Sequence, residues 1–201
     1  MKKRPLLFGI IIIVIIGLAA LFFYNVSKEP GRCLKENDTD VCYSRFLQLG
    51  INAYASEQYQ ESVKYFKLSA ASFDDDLLQG FGAWRNLANA YMSLDQFDQA
   101  QAIYDQLLEV KNHPEVPMIY LDYLRLYDRA KELDAGLELT DLAYQKYGDI
   151  IFLYKKAGIL EDLERYSEEV AIYEVLLEAD PDNHESIQFK INRLKQVHNL
   201  E

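Results

Sequence analysis

Two cysteines, Cys33 and Cys42, close the stretch CLKENDTDVC with eight residues between them. In an oxidising compartment so close a pair forms a disulfide that pins the intervening polar segment. Two free thiols are the alternative. A metal pair is the poorer one, because two thiols without a nearby histidine fall short of a zinc ligand set. The three histidines, His113, His184 and His198, lie far apart with no accompanying ligand or base motif, and are expected at the surface. No Gly-rich phosphate loop, H-E-x-x-H or G-x-S-x-G occurs, and the nine glycines are scattered. Asp74-Asp75-Asp76 is expected to form a solvated loop and helix start rather than an ion site. The many carboxylates suit a solvated helical face better than an acid and base pair. The expectation is a protein that is not an enzyme and holds no cofactor or metal, with an enzyme of unrecognised site kept as an alternative.

The elements that must position any site are helical. In AWRNLANAYMSLDQFDQAQAIYDQLLE, Trp84, Leu87, Ala88 and Tyr91 follow at steps of three, one and three, and Phe97, Ala100, Tyr104 and Leu107 at three, four and three, which is helical periodicity in both halves. Ser93-Leu94-Asp95-Gln96 between them allows only a tight turn, so the two helices must lie antiparallel. These residues resemble the tetratricopeptide repeat, W-x2-L-G-x2-Y, then A-x3-F, then P: Trp84, Leu87, Ala88, Tyr91, Ala100, Tyr104 and Pro114 stand at its positions. Copies with Leu49, Gly50, Tyr59, Ser62 and Phe66, with Leu124, Tyr127, Leu133, Gly136 and Ala143, and with Leu153, Ala157, Leu160, Tyr166, Tyr173, Leu176 and Pro181 flank it. Taking Tyr59, Phe97, Leu133 and Tyr166 as equivalent gives steps of 38, 36 and 33 residues, so the first two joins require longer turns or extended helices. After Pro181, a capping-box spacing from Asp182 to Glu185 opens a stripe of Ile187, Ile191, Leu194 and Val197, as an end-capping helix requires. The fold class expected is an all-α solenoid of about four hairpins (43–76, 77–114, 115–148, 149–182), a capping helix (183–201) and one N-terminal transmembrane helix.

That last element rests on the chain's start. A basic tail (1–5) precedes an uncharged run from Leu6 to Tyr24, 19 residues that reach about 28 Å as a helix, close to the hydrocarbon thickness of a bilayer. A cleavable signal peptide is the alternative. Lys2, Lys3 and Arg4 put the N-terminus in the cytoplasm by the positive-inside rule, so the linker (25–42) with its cysteine pair and the repeats would lie in the periplasm or outside the cell, anchored in a bacterial inner membrane. Beyond those three cations stand 18 basic and 32 acidic residues, which excludes a general nucleic-acid binder.

The resemblance implies a concave face, lined by the first helix of each hairpin, that binds a peptide or partner helix. Residues offset by one from the packing stripe should face it: Leu47, Ile51 and Tyr54; Arg85, Asn89 and Met92; Leu121, Arg125 and Asp128; Tyr154, Gly158 and Glu161. Arg85 with Asn89 resembles half of the carboxylate clamp by which some family members hold an acidic C-terminus, but Asp122 and Ile151 stand where further amide and basic groups would be needed. The function implied is a membrane-anchored scaffold for an envelope assembly of pilus, secretion or cytochrome-maturation type. A holdase for exported chains, using the apolar Leu47, Ile51 and Tyr54, is the alternative.

Overall fold

The computed structural model describes residues 39–200. Among them nine α-helices follow one another: α1 (Thr39–Ala55), α2 (Tyr59–Ala70), α3 (Phe81–Ser93), α4 (Phe97–Leu108), α5 (Val116–Ala130), α6 (Leu133–Tyr147), α7 (Ile151–Asp162), α8 (Tyr166–Ala179) and α9 (His184–His198). Short 3-10 turns, Ala71–Phe73 and Pro181–Asn183, interrupt the chain after α2 and α8. Each helix packs on its neighbours in sequence, which is the contact pattern of a solenoid. The expected membrane span and Cys33 lie outside the described residues. Among the described ones no helix is long and apolar enough to cross a membrane. The first helix begins at Thr39, inside the segment assigned to the linker, so Cys42 sits in its first turns and is buried beside Phe46.

The repeat is visible in the backbone before any side chain is considered. The second helices begin at Tyr59, Phe97, Leu133 and Tyr166. Two residues before each stands a left-handed, non-glycine residue: Glu57, Asp95, Lys131 and Glu164, with φ of 60°, 56°, 63° and 57°. The next N–H reaches back five residues: Gln58 to Ala53, Gln96 to Tyr91, Glu132 to Tyr127 and Arg165 to Leu160, at 2.9, 3.0, 2.9 and 2.9 Å. This is the Schellman closure of a helix end. It turns the chain antiparallel within a few residues and accounts for the strict placement of the four helix starts. The unequal period lies instead in the joins. Residues 71–80 separate α2 from α3 and 109–115 separate α4 from α5, whereas only 148–150 separate α6 from α7. In the longest join the Asp76 carboxylate accepts the N–H groups of Leu78 and Gln79, so the acidic run is a solvated turn, as expected, but it does not start a helix: α3 begins at Phe81 behind Gly80.

Two close approaches set the hairpin geometry. A Cβ at Gly50 would lie 2.5 Å from the Phe66 ring, so only glycine lets α1 and α2 meet there. The fourth residue of each second helix is Ser62, Ala100, Gly136 and Glu169 in turn. The first two are 0% exposed, and a Cβ on the third would meet Ile159 at 3.2 Å. The fourth member breaks the pattern: Glu169 is also wholly buried. At the far end α9 buries Ile187, Ile191 and Leu194 against the last hairpin. Two expectations are corrected there. Val197 remains 61% exposed, because two successive steps of three fall short of the 3.6-residue turn and carry the last member of the stripe off the buried line. No side chain caps the start of α9; the Pro181–Asn183 turn leads into the helix with Asn183 at the cap, and Asn183 donates to Asp180 instead.

Candidate functional site

The face formed by the first helices divides into a closed half and an open half. In the closed half, Arg85 on α3 donates from Nε to Asp122 Oδ2 on α5 at 2.6 Å and reaches Glu115 Oε2 at 3.2 Å. Asp122 is 4% exposed. Arg125 donates to Asn89 Oδ1 at 3.0 Å and lies 3.7 Å from Asp122 Oδ1, while the buried Tyr104 hydroxyl donates to the same Asn89 oxygen at 3.0 Å. Burial and the Asp122 charge push the Tyr104 phenol well up, so it remains a hydrogen-bond donor. Two arginines, an aspartate, an asparagine and a tyrosine thus satisfy one another between hairpins two and three.

This geometry corrects three expectations. Arg85 is not a free cation awaiting a partner's carboxylate, because Asp122, one residue beyond the groove-facing Leu121, takes it up. Asn89 is already occupied as an acceptor. Met92 does not face the groove: it is 3% exposed and belongs to the core with Leu87, Ala88 and Ile119, because the narrow wedge between adjacent first helices swallows the last turn of α3. In the first hairpin Leu47 and Tyr54 pack against the same core, and the Tyr54 hydroxyl pairs with Ser93 Oγ at 2.8 Å. Ile51 stays 41% exposed. The apolar strip that a holdase would present is therefore mostly spent on packing.

The open half lies between α5 and α7. First helices touch from α1 to α3 and from α3 to α5. Beyond that a depression of about 370 Å³ opens, and Leu121, Arg125, Asp128, Tyr154, Gly158 and Glu161 all line it. These are the six residues that the register placed on the groove side of hairpins three and four. Leu124, Lys155, Ile159 and Asp162 complete the lining; a register that samples one row of each helix misses them because a depression between two helices exposes the flanks of both. A Cβ at Gly158 would meet nothing within 4 Å, so the floor there is bare. Tyr154 is held at the rim by its hydroxyl, which donates to Asp180 Oδ2 at 2.7 Å. Desolvation first, and that bond second, push its phenol up to about 12. With cations at Arg125 and Lys155, acids at Asp128, Glu161 and Asp162, and apolar Leu121, Leu124 and Ile159, the surface can hold a peptide by both backbone and side-chain contacts. Among the described residues no cluster of histidine, cysteine and carboxylate could hold a metal ion.

The expected surface histidines are only partly so. His113 stacks on Phe81 at 3.7 Å and His198 on Tyr166 at 3.5 Å.

Comparison with known proteins agrees with this architecture. Family models described as tetratricopeptide repeat match residues 83–118 and 151–183. No curated protein matches the chain in sequence. Among solved structures, the chain is similar to YrrB, titled a TPR protein with an unusual peptide-binding site, at TM-score 0.55 and 10% identity over 87% of this chain and 86% of that one. It is similar to MamA from Desulfovibrio magneticus RS-1 at TM-score 0.55 and 13% identity, over 81% and 97% of the two chains. The TPR-like repeats of a putative kinesin light chain from Podosopora anserina align at TM-score 0.57 and 17% identity, over 75% and 76%. Identities this low speak to the fold. Residues 39–200 form an all-helical solenoid that carries tetratricopeptide repeats, the architecture of a protein-protein interaction scaffold.

Proposed function

We propose that the protein is a membrane-anchored, extracytoplasmic scaffold whose α5–α7 depression holds a segment of a partner protein in an envelope assembly. The observation that carries the reading is the bare floor at Gly158, framed by Leu121, Tyr154 and Ile159 and by charges of both signs. The rest of the same face has already satisfied its polar groups internally and has less to offer a ligand. The anchor and the side of the membrane rest on the uncharged run 6–24 and the three cations before it. The peptide-binding description of YrrB supports the choice of a peptide-sized ligand.

A photoreactive amino acid at position 158 tests the site in cells. One or two adducts of defined mass from position 158, and none from the exposed Glu138 on α6, are expected. A broad smear from position 158 would favour the holdase, and equal adducts from both positions would remove the groove from the mechanism. Protease added to spheroplasts should digest the repeats; protection of the whole chain would place them in the cytoplasm.

A further inference from the structure

A larger concavity, about 610 Å³, opens elsewhere, at the edge where the α4–α5 connection meets the start of α5 and the end of α6. It shares no lining residue with the α5–α7 depression. Its lining is rich in donors: Lys111, Asn112 and His113 from the connection, and Lys146 from α6. His113 Nδ1 accepts the backbone N–H of Glu115 at 3.2 Å, so the neutral ring carries its proton on Nε2. The Lys146 ammonium stands 5.6 Å from the Tyr120 ring centre and 5.4 Å from that of Tyr147. Neither Lys111 nor Lys146 forms an ion pair among the described residues, although Arg85, Arg125, Arg129, Lys156, Arg165 and Lys190 all do. The one carboxylate in the lining, Glu109, pairs with neither. The cleft thus sets two cations against a single carboxylate, in a chain with 32 acidic and 21 basic residues.

We propose that this cleft binds an acidic segment of a partner protein, seating a carboxylate between Lys111 and Lys146 and an apolar side chain against Val116 and Tyr120. The two halves of the lining select that class together. Charge-assisted bonds from the lysines hold the carboxylate. The ring of Tyr120, with Leu108, Val110 and Val116, takes the neighbouring apolar group. A bare phosphate would use the donors and leave the apolar wall wet. Lys146 also lies in the last turn of α6, where a cation suits the helix end; that role accounts for Lys146 and leaves Lys111 unexplained. The surface is independent of the α5–α7 depression, so the scaffold would engage two protein segments at once.

The test titrates the full chain in nanodiscs with a pool of acetylated hexapeptides carrying glutamate at two fixed positions and Leu, Val, Phe or Tyr elsewhere. The pool should bind, and Lys111→Gln/Lys146→Gln should weaken binding at least tenfold, while Gly158→Leu, which fills the other depression, leaves it unchanged. Four results would overturn the proposal: no binding, equal binding by the double variant, equal binding of a pool with lysine in place of glutamate, or full displacement by equimolar inorganic phosphate, which would make the site one for small anions.

Discussion

Glu169 is the place where the fold contradicts its own rule. At a position held by Ser62, Ala100 and Gly136 in the other hairpins, the fourth carries a carboxylate that is 0% exposed and whose oxygens accept no hydrogen bond. Its ion-pair partner among the described residues, Lys190 on α9, stands 3.4 Å away and is shared with Glu161 on α7 at 3.1 Å. His198 on α9 and Tyr173 on α8 also face it. Desolvation outweighs the Lys190 attraction and raises the Glu169 carboxyl above its ordinary 4.5, so the charged form is a net burden on the folded state. Glu169→Met keeps the volume, removes the charge and leaves Lys190 paired with Glu161. Relief of an unsatisfied buried group is about 1 to 3 kcal/mol, and for a domain of this size that is a rise in Tm of roughly 3 to 9 °C. Lys190→Met should act the other way, leaving two carboxylates unopposed at a cost of about 2 to 4 kcal/mol. The pH dependence has a definite sign. A carboxyl whose folded pKa is raised binds its proton more tightly when folded, so its contribution to stability grows as the pH falls through that pKa toward 4.5 and is lost as the pH rises. The advantage of Glu169→Met over the parent, measured by thermal unfolding at pH 8 and stepwise down to pH 5, should therefore shrink on acidification. A lower Tm for Glu169→Met at pH 8, or a gap that does not change with pH, would refute the reasoning.

Removing Arg85 should not spare the fold: Arg85→Ala leaves Asp122 buried with only Arg125 at 3.7 Å, and denaturant unfolding should show a loss of about 1 to 3 kcal/mol that Asp122→Asn in the same chain partly restores. Gly50→Ala forces a carbon to 2.5 Å from Phe66 and should cost about 1 to 3 kcal/mol, whereas Gly158→Ala, in a helix with open space above it, should add about 0.5 to 1 kcal/mol; melting both variants separates a required glycine from a vacant one. Non-reducing mass analysis of protein from native envelopes should find Cys33 and Cys42 joined if the segment lies in an oxidising compartment, and two free thiols would refute the disulfide expected from the sequence.

The sequence by itself determined the local architecture. The four second-helix starts, Tyr59, Phe97, Leu133 and Tyr166, and the turns before them depend on residues within about five positions of one another, where apolar spacing and a left-handed residue close each helix whatever lies beyond. The longer first two joins were legible for the same reason, as a simple excess of residues over the period. The half of the groove formed by α5 and α7 was legible as a register, because facing rows of two parallel first helices follow from helical geometry alone. What only the tertiary structure decided is how tightly neighbouring hairpins close. That angle buries Met92, joins Arg85 to Asp122 across 37 residues, opens the depression over Gly158, and brings Lys190 to a glutamate that its own helix cannot satisfy. Nothing near these residues in the chain encodes their partners, because the distance between two hairpins is set by the sum of all side chains between them.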